Sequence, residues 1–437
     1  MKAFGASILS LLLLVGCGGG SSSSPSEGRD TGTVVHSPLA ASANPAVAAA
    51  VYQSWKSFHY ATLESDAAVF PSVAAEFGTV FDSRYLPAGR VVWAAQNSGY
   101  YKPVCTVEDA TAKDMKNRAC SVSDGIGYGM LLALFNGDED TFHRLWNYSR
   151  AFRTYSNREL TPRIVYSFHW SPVDEYSSTG ADLDVATALI LMYRKTGNAL
   201  YLQDALRIAS AIWDEEVDES SHLLVPGNDD RRNGSVHSLG RFSPVALRLF
   251  AETDPAHDWT AVLDAMYAYL QRVQSRGTGV LPNWSDGNGD AAEPPHGSDL
   301  NGKEAHYLFG REASFAALRL AWDWHWFQDR RAAAALNALN LFISGKADGD
   351  PRSQALATLY TWNATAGADN TTATAVQHHL YGAWCATGVA GNMSWLDACT
   401  SELNTKTPSN SNSSYFQDIA LALYSALLNG KFVMPEN

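Results

Sequence analysis

Apolar residues recur at intervals of three and four residues through most of the chain, while strict alternation of apolar and polar residues is scarce. The first spacing places apolar side chains on one face of an α-helix, whereas alternation is typical of strands. The pattern therefore predicts a mostly helical, all-α protein. The clearest predicted helices run from Tyr128 to Phe135, Asp184 to Arg194, Leu200 to Trp213, Pro244 to Ala251, Trp259 to Val273, Ala313 to Phe327, Arg331 to Ile343 and Ile419 to Leu428.

Gly197 lies in the short connection between two of these helices. Glycine adopts the left-handed conformation that ends a helix, and the next apolar period begins almost at once, so the two segments predict a helical hairpin. Repeated hairpins in a chain of 437 residues favour a closed ring of paired helices over a small bundle. A superhelical repeat array is the alternative, although the sequence shows no fixed-period repeat.

Three long polar segments interrupt the helical pattern and are rich in Trp, Tyr, Asp, Asn and Gly. They are Asn157 to Gly180, Val225 to Gly240 and Pro282 to His306. Loops longer than about 12 to 15 residues in a compact domain are usually functional or disordered. We expect these segments to form a cleft at one end of the ring.

The amino terminus has the features of an export signal. Lys2 precedes an apolar run from Ile8 to Val15 that is too short to span a membrane. The Leu-Val-Gly-Cys sequence that ends at Cys17 resembles the lipobox of a bacterial lipoprotein, which predicts a signal peptide over residues 1–17 and lipidation of Cys17. An ordinary secretory signal with an incidental cysteine is the alternative.

The domain layout follows from this signal. Residues 18–46 begin with a Gly- and Ser-rich run that buries too little apolar surface to fold, so they predict a flexible tether. The folded domain is then expected over residues 47–437. Gly18, next to the lipidated cysteine, favours the outer membrane or cell surface over the inner membrane. We expect an exported lipoprotein of the cell envelope, a monomer that contacts the membrane only through its lipid.

Four of the five cysteines remain after Cys17 is assigned to lipid. They form two closely spaced pairs, Cys105 with Cys120 and Cys385 with Cys399. Four cysteines allow three connectivities, and proximity in an exported chain favours two local disulfides. No Cys-x-x-Cys motif occurs, which argues against a zinc or thioredoxin-like centre, and we expect neither a metal nor a cofactor.

The charge of the chain makes nucleic acid a poor partner. Thirty-two basic and 45 acidic residues give a formal net charge of −13, and no basic run occurs. Binding to a phosphate backbone depends on such positive charge. Aromatic residues make up 11% of the chain, and they suit a carbohydrate cleft and a protein core equally well.

Three segments combine carboxylates with the predicted start of an apolar helix. They are Ser123 to Met130 (SDGIGYGM), Gly180 to Ala186 (GADLDVA) and Phe309 to Ala313 (FGREA). A helix start favours a carboxylate, so a capping or first-turn position is one interpretation of Asp124, Asp182 and Glu312. The other interpretation is a set of carboxyl groups for acid and base catalysis.

These segments, taken in order, resemble the motifs of glycoside hydrolase family 8. Ser123 to Met130 is similar to the family's Ser-Glu-Gly-Gln-Gly-Tyr-Gly-Met, Ser178 to Ala186 to its Ala-Thr-Asp-Gly-Asp-x-x-Ile-Ala, and Phe309 to Ala313 to its Tyr-Gly-Tyr-Asp-Ala. Further similar segments are Gly89 to Val92, Leu145-Trp146, Leu281 to Trp284 and Tyr415 to Phe432. The family consists of inverting enzymes that cleave β-1,4-linked glycans on an (α/α)6 barrel. The resemblance implies this fold, with six helical hairpins in a ring, and this reaction.

The resemblance also implies roles for individual residues. Asp124 stands where the family has its general acid, a Glu, and Glu312 stands where it has its general base, an Asp. Gly180 replaces a substrate-binding Asp, which leaves Asp182 as the nearest carboxylate to support Asp124 in its protonated form. The expected substrate-binding residues are Arg311, Tyr128, Trp170 and Trp284.

The departures from the family pattern lie at the chemical positions. Exchanging Glu and Asp moves each carboxyl by about 1.5 Å, one C–C bond, so the gap of about 6.5 to 9.5 Å that inversion requires can survive. Arg311 replaces a Tyr and Phe315 replaces an Arg. We expect a hydrolase of β-1,4-type bonds in a polysaccharide or oligosaccharide. A non-catalytic glycan-binding lipoprotein on the same scaffold is the first alternative, and a surface scaffold for protein contacts is the second.

Overall fold

The computed structural model describes residues 39–69, 83–95, 101–108, 110–111, 115–156, 158–166, 172–229, 236–294, 305–357, 359–363 and 378–435. The predicted signal peptide, Cys17 and most of the predicted tether lie outside these residues, as does Trp170. The described helices are α1 (Pro45–His59), α2 (Leu63–Val69), α3 (Ser123–Phe135), α4 (Glu139–Ser156), α5 (Thr179–Thr196), α6 (Ala199–Glu216), α7 (Pro244–Thr253), α8 (Trp259–Arg276), α9 (Arg311–Phe327), α10 (Arg330–Lys346), α11 (His378–Ala386), α12 (Met393–Leu403) and α13 (Tyr415–Leu428). The mostly helical character that the sequence predicts is confirmed.

Six helices form a closed inner ring. Around it, α3 contacts α5, α5 contacts α7, α7 contacts α9, α9 contacts α11, α11 contacts α13, and α13 returns to α3. Each of the first five inner helices packs against the outer helix that follows it in sequence, and α13 packs against α1. The fold is therefore an (α/α)6 barrel, and the closed ring of hairpins rather than the superhelical array is correct.

The inner helices are buried more completely than the outer helices, and their amino-acid sequences explain the difference. The inner helix α3 (SDGIGYGMLLALF) is apolar on nearly every side, and Asp124 is its one residue that is not buried. Outer helices such as α6 bury one face and expose the other. A helix that is hydrophobic all round belongs inside a core, whereas an amphipathic helix covers it.

Two glycines of the first motif allow α3 to pack closely against its neighbours. A Cβ on Gly127 would lie 3.0 Å from the carbonyl oxygen of Ala181 and from the Cβ of Asp184, both in α5. A Cβ on Gly129 would lie 2.8 Å from a methyl of Val91. These positions lack a side chain because the backbone of α3 approaches other parts of the protein.

Short antiparallel strands gather at one end of the barrel. The pairs are β1 (Tyr60–Thr62) with β2 (Gly89–Val91), β3 (Cys120–Val122) with β4 (Ile164–Tyr166), β4 with β5 (Pro172–Asp174), β6 (Val236–His237) with β7 (Ser285–Asp286), and β8 (Leu308–Phe309) with β9 (Tyr360–Thr361). Strand β3 leads directly into α3, and β8 leads into α9. The three long polar segments supply β4 to β7, so they lie at the amino-terminal ends of inner helices.

Both cysteine pairs are disulfide-bonded in the structure. Cys105 bonds to Cys120 at the start of β3, and Cys385 in α11 bonds to Cys399 in α12, each with a Cα–Cα distance of 5.2 Å. The connectivity is the local one that proximity favours. Among the described helices, none has the length and apolar character needed to cross a membrane.

The connection between α5 and α6 yields a prediction from two matched substitutions. Gly197 has φ 71° and ends α5, so Gly197→Ala should lower the free energy of unfolding by about 1 kcal/mol, because alanine is strained in this conformation. Gly345→Ala, inside α10 with open space around the new methyl, should instead raise it by about 0.5 to 1 kcal/mol. Urea unfolding measures both changes. If the two substitutions changed the free energy of unfolding in the same direction, the left-handed conformation assigned to Gly197 would be contradicted.

Candidate active site

The side chains that the motifs single out meet where the inner helices begin. Asp124 is the second residue of α3, and Glu312 is the second residue of α9. Ser178 immediately precedes α5, and Arg241 ends a short 3-10 helix, Leu239–Arg241, just before α7. Four different inner helices thus contribute to one site at the end of the barrel that carries the strands.

Asp124 is partly buried and receives a hydrogen bond from Ser178, whose Oγ lies 3.1 Å from its Oδ1. Burial raises the pKa of Asp124, and the negative charges of Glu312 and Asp184 raise it further, while the Arg241 guanidinium acts in the opposite direction. Together these effects raise the pKa of Asp124 above its ordinary value. A carboxyl group in this environment retains its proton to higher pH than an ordinary aspartate does.

Glu312 lies in an ion pair with Arg241. The Arg241 Nε is 3.2 Å from Oε2 of Glu312, and Nη2 is 3.5 Å from Oε1. Ser238 Oγ lies 3.5 Å from the same Oε2. The side chain of Glu312 is 24% exposed, so a charged carboxylate here reaches solvent while a cation holds it in place.

Arg241 joins the two carboxyl groups. Besides Glu312, its Nη1 donates to Ser178 Oγ at 2.8 Å, and Ser178 in turn donates to Asp124. Sequence analysis missed Arg241, which lies directly after the second long polar segment. The available signal was Gly180, because a glycine in place of a motif carboxylate leaves space that the stem of another side chain can occupy.

Asp182 is fully buried and lies near enough to Asp124 for the charge of Asp124 to contribute to raising its pKa. Its Oδ1 accepts a hydrogen bond from the backbone N–H of Thr161 at 3.1 Å, and burial together with the charge of Glu216 raises its pKa well above the usual value. The negative charges that contribute most to the raised pKa of Asp124 are those of Glu312 and Asp184.

Glu216 is the second member of a fully buried carboxyl pair with Asp182. Burial raises its pKa to about 8, against hydrogen bonds from Ser177 and Thr179 that lower it. Among the described residues, neither Asp182 Oδ2 nor Glu216 Oε2 has a hydrogen-bond partner. Ser177 donates a hydrogen bond to Glu216, and the next residue, Ser178, is the one that contacts Asp124.

Asp184 and Arg319 form an ion pair between α5 and α9. Both are buried, and the two nitrogen–oxygen distances are 2.7 and 2.9 Å. Arg319 Nε also donates to the carbonyl oxygen of Gly240 at 2.7 Å, directly before Arg241. This pair sets the spacing between the helix that follows Ser178 and the helix that carries Glu312.

The expected substrate-binding aromatic residues have different surroundings. Tyr128 is 8% exposed and stacks on Phe315 with ring centroids 4.8 Å apart, so its ring packs within the protein. Trp284 is partly buried, and the Arg241 guanidinium lies 5.3 Å from its ring centre. Trp170 is outside the described residues. Trp284 thus lies beside Arg241, while the hydroxyl of Tyr128 lies near enough to Asp124 and Glu312 for their charges to raise its pKa.

Arg311, the first residue of α9, lies next to Glu312 in sequence and is partly buried. Its guanidinium is 5.5 Å from the ring centre of Phe416, which packs edge-on against Phe315. The hydroxyl of Tyr415 lies close to the start of α3, because a Cβ on Gly125 would lie 2.5 Å from it. Within the described part of the chain, no group of three or more His, Cys, Asp or Glu side chains is arranged to hold a metal.

Comparison with known proteins identifies the family. The family model described as glycosyl hydrolases family 8 matches residues 91–426, which include Asp124, Ser178, Arg241 and Glu312. The chain belongs to glycosyl hydrolase family 8. The resemblance of the three carboxylate segments to that family's motifs is thereby confirmed.

This family 8 chain is similar to several proteins with known names. It is 26% identical to Endoglucanase 2 of Ruminiclostridium josui over 53% of this chain and 48% of the relative, so it spans about half the length of that protein. It is 25% identical to a beta-glucanase of Niallia circulans over 77% of this chain and 82% of the relative. Its fold matches the beta-1,3-1,4-glucanase of Paenibacillus sp. X4 with a TM-score of 0.69 at 19% identity, covering 91% and 96% of the two chains.

The buried carboxyl pair of this family 8 protein predicts a pH-dependent stability. Glu216 has an ordinary pKa of 4.5 when unfolded and about 8 when folded, so between these values the unfolded chain binds fewer protons than the folded one. The free energy of unfolding should therefore fall as the pH rises from about 4.5 to about 8. In Glu216→Gln this position cannot titrate, so the fall should be smaller.

Urea unfolding at a series of pH values tests this expectation. Asp214→Asn, an exposed carboxylate on the same helix α6, is the control and should keep the slope of the wild type. Equal slopes in Glu216→Gln and in the wild type would contradict a protonated buried pair.

Proposed function

We propose that the protein hydrolyses β-1,4-type glycosidic bonds in a polysaccharide or oligosaccharide by an inverting mechanism with two carboxyl groups. One observation carries this proposal: two carboxyl groups from different inner helices share one site, and they differ in their surroundings. Asp124 has a raised pKa, whereas Glu312 is ion-paired with Arg241. Such a division into a proton donor and a charged acceptor is what single displacement at a sugar carbon needs.

Asp124 is the proposed general acid. Ser178 donates to Oδ1, which leaves Oδ2 of Asp124 to carry the proton. As the bond between C1 and the glycosidic oxygen breaks, this proton moves to the departing oxygen, and Asp124 becomes a carboxylate. Its hydrogen bond from Ser178 and the nearby Arg241 cation stabilise that product state.

Glu312 is the proposed general base. A water molecule beside its carboxylate attacks C1 from the face opposite the leaving group, a bond forms between the water oxygen and C1, and the proton of the water passes to Glu312. The configuration at C1 is inverted, so a β-linkage yields an α-anomer. Arg241 and Ser238 fix the carboxylate by hydrogen bonds, which reduces the loss of orientation on reaching the transition state.

The names of relatives support a β-glucan as the first substrate to test. They include an endoglucanase and a beta-glucanase. Trp284 beside the carboxyl groups offers a ring face on which a sugar can stack. We further propose that the protein acts as a monomer tethered to the cell envelope through a lipid on Cys17, as the signal sequence predicts.

Two variants separate the roles of the carboxyl groups. On oligosaccharides, Asp124→Asn and Glu312→Gln should each lower kcat/KM on the order of 100- to 10,000-fold, the usual contribution of acid or base catalysis. On an aryl oligosaccharide whose phenol leaves without protonation, Asp124→Asn should lose far less, while Glu312→Gln should lose as much as before. Asp140→Asn, an exposed carboxylate on α4, should match the wild type.

The substrates for this test are cellulose, mixed-linkage glucan, xylan and chitosan, with new reducing ends as the readout and proton NMR of the first product to assign the anomer. The protein carries Cys17→Ser and lacks residues 1–16, which precede it. An initial β-anomer would overturn inversion. Oligosaccharide binding without new reducing ends on any glycan would overturn hydrolysis and leave a glycan-binding protein.

A further inference from the structure

Arg241 has an unusually complete set of contacts for a side chain in a cleft. Its Nη1 donates to Ser178 Oγ and to the carbonyl oxygen of Pro226, at 2.8 and 2.7 Å. Nε and Nη2 face the two oxygens of Glu312, and the plane lies near the ring of Trp284. The guanidinium thus contacts groups from four parts of the chain, and its side chain is only 16% exposed.

Two glycines make this placement possible. A Cβ on Gly180 would lie 3.3 Å from Cγ and 3.5 Å from Cβ of Arg241, and 3.5 Å from Nη2 of Arg319. The closest of these contacts is tight, so a side chain at 180 would shift the stem of Arg241 by a few tenths of an ångström. A Cβ on Gly240 would lie 1.8 Å from the backbone oxygen of Glu312. Because residue 240 has no side chain, the 3-10 helix approaches the start of α9, and this approach brings Arg241 to Glu312.

The same glycine is where the family motif has a substrate-binding carboxylate. The stem of Arg241 lies in the space next to Gly180 that such a side chain would enter. The motif arginine is also absent, since Phe315 occupies its position and stacks on Tyr128. This chain therefore organises its two carboxyl groups with a residue outside the motifs.

We propose that Arg241 is a positioning residue that holds the general acid and the general base in one hydrogen-bonded chain, Asp124–Ser178–Arg241–Glu312, and that Gly180 is required because it leaves room for the arginine. The inference rests on the proposed hydrolysis. It assigns to Arg241 a role that neither carboxyl motif contains. Arg241 acts through Glu312 and through Ser178 and takes no proton itself.

Two consequences distinguish this role from a structural one. First, the positive charge of Arg241 lowers the pKa of Asp124, so removing it should move the alkaline limb of the kcat/KM profile to higher pH, because the free enzyme then keeps its acidic proton longer. Second, the planar fork spans Glu312 and Ser178 together, which a single ammonium group cannot do.

The experiment compares Arg241→Met and Arg241→Lys with Arg248→Met. Arg248 is a matched control on α7. Its side chain is 21% exposed and forms ion pairs with Asp323 and Asp329 rather than with Asp124 or Glu312. Arg241→Met should lower kcat on the order of 100-fold, as misplacement of about 1 Å does, and shift the alkaline limb upward. Arg241→Lys should lower kcat with a smaller shift of that limb. Arg248→Met should reduce stability and leave the limb in place.

A double-mutant cycle tests the link to Gly180. Gly180→Ala changes no charge and suits a helix, yet its methyl group meets the stem of Arg241. It should lower kcat in the wild type and have little further effect in Arg241→Met, because the guanidinium whose position it disturbs is then absent. Additive losses would show that Gly180 acts independently of Arg241.

The outcomes separate this inference from the function on which it rests. A wild type that hydrolyses glycans, with the same alkaline limb in Arg241→Met and Arg248→Met, would overturn the positioning role and leave hydrolysis intact. A wild type that hydrolyses none of the glycans would overturn the proposed function and this role together. An upward shift confined to the Arg241 variants, with a non-additive cycle, supports it.

Discussion

The arrangement of the site depends on the buried ion pair between Asp184 and Arg319. It joins α5 to α9 across the inner ring, and Arg319 also binds the carbonyl oxygen of Gly240. Removing one partner of such a pair leaves an uncompensated buried charge, which costs on the order of 3 to 5 kcal/mol, so the two helices stay in register. The segments that bear Ser178, Arg241 and Glu312 are therefore set by one interaction. Asp124 is positioned relative to these segments because α3 packs on α5 at Gly127, against Asp184 itself.

A site built from helix starts combines two opposing effects. The first turn of a helix stabilises negative charge, which favours a carboxylate at Glu312. Asp124 occupies the equivalent second position of α3, but the apolar helix around it desolvates the carboxyl group, and this desolvation dominates its pKa. The same local geometry thus yields two chemically different carboxyl groups because their surroundings differ. The ring arrangement makes this possible, since every inner helix presents its first turn at the same end.

The sequence predicted the bodies of five of the six inner helices, because a long run of apolar residues at helical spacing fits few other structures; it did not predict α11, a short inner helix. It placed the starts of α3, α5 and α13 several residues too late, because these first turns carry the polar and glycine residues of the site. It gave no clear signal for α4, whose sequence is mostly polar. Asp124 and Glu312 were found through motif resemblance. Arg241 and Glu216 were not, because their roles arise from contacts between distant segments that periodicity does not encode.

In the proposed mechanism, the acid strength of Asp124 is a balance that substrate binding can change. Burial and the charge of Glu312 raise its pKa, and Arg241 lowers it. A sugar ring that enters the cleft displaces water from Asp124, which adds to desolvation, whereas the contacts of Arg241 with Ser178 and Glu312 are already made within the protein. The balance therefore moves toward the protonated form when the glycosidic oxygen arrives. Once the proton has been transferred, Ser178 and Arg241 stabilise the carboxylate that remains, so one hydrogen-bonded chain serves Asp124 before and after the bond breaks.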